Sequence, residues 1–185
     1  MSIDFFIAKC QTENIVDKEF GICDDEDEEK KTPAYVDRNQ PDKWVAVVKN
    51  QTNQSINFTA VDNCVEMNRS DGTMDFRCDA MLTNDDNIVF VELKVQAADW
   101  IFHAVDEQLQ TTIDHFKANH DLSRYKYKRA FVCNKRHPNF RVSYKDKMTS
   151  FYLKNRHKTQ RKAKFYLNNW RSVFYMQGGL KQTLA

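Results

Sequence analysis

A chain of 185 residues, 41% hydrophobic and 29% charged, can bury the core of one ordinary domain, and its composition shows no break that would mark a second. No apolar run approaches the length of a membrane span, and the N-terminal MSIDFFIAKCQTEN, with an acid at Asp4, reads as neither signal peptide nor anchor. The formal net charge of +2 hides an asymmetry: residues 1–121 hold 11 Lys and Arg against 25 Asp and Glu, whereas residues 122–171 hold 16 Lys and Arg and the single acid Asp146, a balance that suggests a polyanionic partner.

In chain order, Ile3, Phe6, Ile7 and Cys10 recur at helical spacing, and Ile15, Val16 and Phe20 continue the pattern irregularly, so the first twenty residues are expected to form a helix ended by Gly21. The acidic run at residues 23–33 follows, either as a solvated loop or as a flap screening the basic half. Trp44 to Val48 and Ile56 to Val65 read as strands. The turn residues Asn68 to Thr73, with Asp71-Gly72 inside, lead to a further strand, Asp75 to Leu82, and so predict a hairpin. A turn centred between Ser70 and Asp71 would set Asp62 opposite Asp79, two like charges that need a cation between them.

The stretch RCDAMLTNDDNIVFVELK (Arg77 to Lys94) then reads as two strands joined by a polar turn at Thr83 to Asn87. Period two puts Glu92 and Lys94 on one face of an otherwise apolar strand, which is costly unless they pair or meet a metal. After Lys94 the period changes. Asp99 is an N-cap candidate, and Ile101, Ala104, Val105, Gln108, Leu109, Thr112, Ile113 and Phe116 make an amphipathic helix to about His120, with the amide of Gln108 inside the apolar stripe.

RAFVCN (Arg129 to Asn134) is a strand, a helix is expected from about Ser143 to Asn155, and a last strand lies near Ala163 to Leu167, although Phe151, Tyr152 and Leu153 fit either period. Residues 172–185 read as an irregular tail. The five cysteines, Cys10, Cys23, Cys64, Cys78 and Cys133, are odd in number and lack CxxC spacing, which predicts reduced thiols in a cytoplasmic protein and argues against a zinc site. The five histidines form no ligand spacing, and Trp100 and Phe102 read as packing residues.

Hydrolysis of a phosphodiester needs an activated water, a neutralised phosphate and a stabilised leaving oxygen. Asp79 and Glu92 on adjacent strands suit Mg²⁺ or Mn²⁺, with Asp62 as a third candidate ligand, and Lys94 could orient or deprotonate the water or contact the phosphate. Asp79, twelve residues, then Glu92-Leu93-Lys94 resembles the PD-(D/E)XK phosphodiesterase superfamily, the restriction-endonuclease-like nucleases. Ala104-x-x-x-Gln108-Leu109-x-x-Thr112 is similar to the glutamine-bearing helix that follows this motif in several branches, so the resemblance gives Gln108 a supporting role. The wider strings around Asp62, Cys78-Asp79 and Phe90 to Lys94 resemble a group of small bacterial members; the likeness runs from Asp62 to Cys133, with Cys78 where the motif has proline.

The resemblance implies one α/β domain with a restriction-endonuclease-like central mixed sheet flanked by helices. Many members carry a further acid on their first helix, for which Glu13 and Glu19 are the candidates. Lys126, Lys128, Arg129, Lys135, Arg136, Lys158, Arg161 and Lys162, interleaved with aromatics, are the candidate backbone-binding cations. The expected partner is nucleic acid, DNA favoured over RNA, with no membrane and a homodimer left open. Two other readings stand beside the nuclease: a binding or regulatory module on the same fold that does not cleave, and a protein-interaction factor in which Glu92 and Lys94 form a structural ion pair.

Overall fold

In the computed structural model, residues 2–25, 31–95, 103–135, 143–156, 167–168 and 173–176 are described. Strand periodicity prevails through the first half of the chain: β1 (Gln11–Ile15), β2 (Glu19–Cys23), β3 (Tyr35–Asp37), β4 (Ala46–Lys49), β5 (Ile56–Ala60), β6 (Ala80–Thr83) and β7 (Asn87–Lys94). A π-helix, His103–Leu109, then runs directly into α1 (Gln110–Asn119), followed by β8 (Tyr127–Asn134), α2 (Ser143–Arg156), β9 (Leu167–Asn168) and β10 (Val173–Tyr175).

These strands form two sheets. The larger has the order β1-β5-β6-β7-β8-β9 and is mixed, antiparallel as far as β7 and parallel from β7 to β9. The smaller has the order β10-β4-β2-β3 and is antiparallel except where β10 joins β4. Between β7 and β8 the chain carries the π-helix and α1, the long connection that a parallel pair requires.

Alternation along β7 shows why the layers stack as they do. Ile88 and Phe90 join Met81, Ala130 and Val132 in a core shared with Leu109, Ile113, Phe116 and Phe151 of the helices. Val89, Val91 and Leu93 point the other way and, with Leu82, Phe131 and Cys133, pack on Phe20, Ile22 and Val48 of the smaller sheet. A strand covered on both faces reads as a continuous apolar run, which is what residues 88–91 are.

Four expectations are corrected. The N-terminal helix is absent: after a single 3-10 turn at Ala8–Cys10 the chain forms β1 and β2, because Phe20 and Ile22 alternate into the inter-sheet core. Gly21 ends nothing; it lies within β2, where the Trp44 indole occupies the space a Cβ would need. Among the described residues the helices flank the mixed sheet on one face, and the smaller sheet covers the other. The thiols are not all reduced: Cys10 and Cys64 form a disulfide, the N-terminal segment having folded back beside the turn at Val61 to Val65, while Cys23, Cys78 and Cys133 are free and buried.

Smaller differences are of boundary. Within the supposed tail Val173–Tyr175 pairs with β4, and the last predicted strand is described only at Leu167–Asn168. Asp99, Trp100, Phe102 and residues 26–30 of the acidic run lie outside the described residues. Among the described residues no helix is long and apolar enough to cross a membrane.

Candidate active site

The expected turn between β6 and β7 is built by Asn84, whose Oδ1 accepts from the backbone N–H groups of Asp86 and Asn87 at 3.1 and 2.8 Å. That turn sets the register of the hairpin, Ala80 opposite Val91 and Thr83 opposite Ile88. Continued one step, the register brings Asp79 opposite Glu92. The ladder stops there, and the Asp79 carboxylate takes the place of the next backbone partner, its Oδ2 accepting from Leu93 N–H at 2.5 Å.

Glu92 is completely buried, and among the described residues neither of its oxygens has a hydrogen-bond partner. Lys94, one pleat further on, holds its Nζ 2.5 Å from Glu92 Oε1 as an ion pair. Its side chain is 17% exposed, so the cluster opens to solvent on that side.

Electrostatics match the geometry. Burial pushes the Asp79 carboxyl up to about 7, although the Leu93 N–H and the Lys94 charge pull the other way. Burial, then the nearby Asp79 charge, pushes Glu92 well above the ordinary carboxylate range. Burial opposes the Lys94 ammonium, but Glu92 and Asp79 outweigh it and its pKa ends above the ordinary lysine value. This environment keeps Lys94 cationic. It favours contact with a phosphate or an orienting role over the alternative of a neutral base.

The segment ahead of β6 is held from the crossover helix. Gln108, half-buried at the end of the π-helix, donates from Nε2 to the Arg77 carbonyl at 3.3 Å. Four residues on, the fully buried Thr112 hydroxyl accepts from Cys78 N–H at 2.8 Å and donates to the Gln108 carbonyl at 2.8 Å. Val61 N–H donates to the Asp79 carbonyl at 2.9 Å from the opposite side. Gln108 therefore does not touch the carboxylates; it holds the chain two residues ahead of Asp79. A π-helix is rare and recurs at functional sites.

The pairing of Asp62 with Asp79 is off by one residue. Register through Ala60 and Ala80 puts Val61, not Asp62, beside Asp79, and such a shift turns a side chain to the other face. Asp62 instead pairs with Arg77 at 3.0 Å, and Arg77 also donates to the Val65 carbonyl. The first-helix acid has no helix to stand on: Glu13 is exposed on β1, and Glu19 on β2 pairs with Lys49.

One acid the sequence did not single out comes nearer. Half-buried Asp24, directly after β2, adds its negative charge to the field on Asp79 and Lys94. It was hidden in the acidic run, and its signal is only that it is the first acid after the apolar FGIC.

The candidate backbone-binding cations divide. Lys126 and Lys135 are exposed, with Lys126 over the Tyr127 ring and Lys135 donating to the Asp42 carbonyl. Lys128 and Arg129 are buried in β8 and donate to the Tyr125 carbonyl and to Asn87 Oδ1, so neither forms part of an exposed basic surface. Arg136, Lys158, Arg161 and Lys162 lie outside the described residues. A cleft lined by Asn14, Gln54, Asn57, Asn84, Asp86 and Arg124 opens at the other end of β7 and includes neither Asp79 nor Glu92.

No family model, curated protein or solved structure matches this chain. Among the described residues no group of three or more His, Cys, Asp or Glu side chains is placed to hold a metal ion. Two carboxylates remain, Asp79 and Glu92, and the excess of two buried carboxylates over the one Lys94 ammonium is an observation in favour of a cation. Mg²⁺ is commonly held by one or two carboxylates with waters and substrate phosphates completing the shell, so the donor set fits a hard divalent ion bound in that way.

Proposed function

We propose that this protein is a divalent-cation-dependent nuclease with a restriction-endonuclease-like domain, hydrolysing phosphodiester bonds of DNA, with RNA as the alternative substrate. The observation that supports the reading is the carboxylate pair: Glu92 has no exposed surface, faces a second carboxylate, Asp79, and the two share one nearby ammonium, that of Lys94. Two buried carboxylates beside one ammonium leave a negative charge that costs several kcal/mol unless a further cation or a proton offsets it.

The order of parts supports the same reading. Asp79 heads β6, Glu92 and Lys94 end β7, and Gln108 rides on the connection to β8. Asp79 and Glu92 would hold Mg²⁺ or Mn²⁺, which when bound supplies charge neutralisation and a more acidic water. Lys94, kept as an ammonium beside Glu92, faces the exposed side where a phosphate oxygen would arrive. Gln108 keeps Asp79 in place through the Arg77 carbonyl.

The Lys94 to Glu92 contact favours a second reading, in which the two form a structural ion pair in a module that binds nucleic acid without cutting it. The two separate on one assay. Wild-type protein with Mg²⁺ is incubated with end-labelled single-stranded DNA, duplex DNA and RNA beside Asp79→Ala, Glu92→Gln and Lys94→Ala. Cleavage by the wild type alone supports the nuclease. Binding with no cleavage by any of the four supports the module, and cleavage by all four refutes the site.

A further inference from the structure

Asp79 stands outside the regular ladder of its own sheet, since β6 begins at Ala80. The Arg77–Cys78 peptide group just ahead of it is tied across to the crossover helix, and the tie to the N–H of Cys78 is made by Thr112, which is fully buried. A threonine hydroxyl has one hydrogen. Here that hydrogen is committed to the Gln108 carbonyl, so the oxygen's lone pair is left to accept from Cys78 N–H, and the direction of both bonds is determined.

The place of Thr112 in the helix makes this possible. The π-helix ends at Leu109 and α1 begins at Gln110, and the change of pitch falls where the Gln108 carbonyl meets the Thr112 hydroxyl. The Gln108 side chain turns back to the Arg77 carbonyl, so one helical turn grips both ends of the single peptide group that joins Arg77 to Cys78, by carbonyl and by N–H. Two such anchors fix the orientation of the chain as it enters Asp79. The carboxylate then meets Leu93 N–H on one side and faces Glu92 on the other.

We propose that Thr112 is a positioning residue for the carboxylate pair, setting where the Asp79 side chain stands by holding the Cys78 peptide, and that it acts together with Gln108. The inference rests on the nuclease reading only for its consequence in ion binding; the geometric part can be tested without any metal. Thr112→Val keeps the shape of the side chain and removes the hydroxyl. Thr112→Ser keeps the hydroxyl and removes the methyl group.

The experiment compares wild type, Thr112→Val and Thr112→Ser in two measurements. The first is amide hydrogen exchange by NMR in the presence of EDTA, reading Leu93, whose N–H reports on Asp79, against Val89 and Phe90 in the same strand. Thr112→Val is expected to speed exchange at Leu93 by about ten-fold relative to those two, and Thr112→Ser to restore it. General destabilisation would speed all three together, and that result, or an unchanged Leu93, would overturn the proposal.

The second measurement is the Mn²⁺ dissociation constant, read from free Mn²⁺ by electron paramagnetic resonance. Loss of a group that orients a metal ligand typically weakens binding about 10- to 100-fold, and that loss, recovered in Thr112→Ser, is expected for Thr112→Val. If the wild type binds no Mn²⁺, the nuclease reading fails while the exchange result still decides the role of Thr112. If the wild type binds Mn²⁺ and Thr112→Val binds it equally well, the positioning role is wrong.

Discussion

Two buried polar clusters lie against the crossover helix, and they are finished differently. In the first, Gln110 of α1 and Asn155 of α2, 4% and 5% exposed, exchange hydrogen bonds through their amides. Gln110 also reaches Asp114, Lys117 donates to Asn155 Oδ1 at 2.9 Å, and Asn155 Nδ2 adds a bond to the Phe151 carbonyl. In the second, Asp79 has its Leu93 N–H, and Glu92 has only the Lys94 ammonium among the described residues. The junction between α1 and α2 is thus closed by its own groups, whereas the carboxylate pair beside β6 and β7 has acceptor capacity to spare. The first is what holding two helices together requires; the second is what a ligand requires.

The largest effect that could break this contrast is on catalysis. Asp79→Ala and Glu92→Gln should each lower Mg²⁺-dependent cleavage by about a hundred-fold or more, as loss of a proton-handling or metal-holding group does. Gel assay of labelled DNA checks this, and an effect of less than ten-fold would place the chemistry elsewhere. Next comes the closed cluster: Asn155→Ala removes the amide that Gln110 and Lys117 share and should cost roughly 1–3 kcal/mol, a fall in Tm of about 3–10 °C with no ion-specific component.

The open cluster should respond in the opposite direction. Asp79 is pushed up to about 7 from an ordinary 3.8. Between those two values the fold keeps a proton that the unfolded chain has released, so stability falls as the pH rises from about 4 to about 7 and the full cost is present above 7. Asp79→Asn keeps an oxygen for Leu93 N–H and removes that cost. In EDTA it should raise stability by about 1–3 kcal/mol at pH 8 and leave it nearly unchanged at pH 4, read by urea denaturation. A destabilised variant at pH 8 would show that the carboxylate is satisfied after all.

The smallest effect is expected at Asp62. Paired with Arg77 and 36% exposed, it should change cleavage by less than about three-fold on replacement by asparagine, beside about a hundred-fold for Asp79. A loss equal to that of Asp79→Ala would return Asp62 to the ligand set.

What could be read in the sequence follows the range over which each signal acts. The hairpin from Asp79 to Lys94 was legible because its strands are adjacent, its turn is polar and its period is two; the shared placement of Glu92 and Lys94 needs nothing more. The helix bearing Gln108 was legible from its 3.6 period, though not the π-helical stretch, which leaves no periodic mark over seven residues. The N-terminal strands were misread because Ile15, Phe20 and Ile22 are buried by a second sheet, and its strands β4 and β10 stand far apart in sequence. The disulfide was invisible for the same reason, its cysteines being 54 residues apart. Lys128 and Arg129 looked like surface cations because charge alone does not show which face of a central strand a residue occupies.

The most direct measurement of the central claim is a crystal structure of the wild-type chain soaked in Mn²⁺, with data collected at the manganese absorption edge. The account predicts one anomalous peak between Asp79 and Glu92, about 2.1–2.2 Å from an oxygen of each, and its loss in Asp79→Asn. No peak, with both Glu92 oxygens hydrogen-bonded to protein groups, would contradict it and leave Glu92 and Lys94 as a structural ion pair.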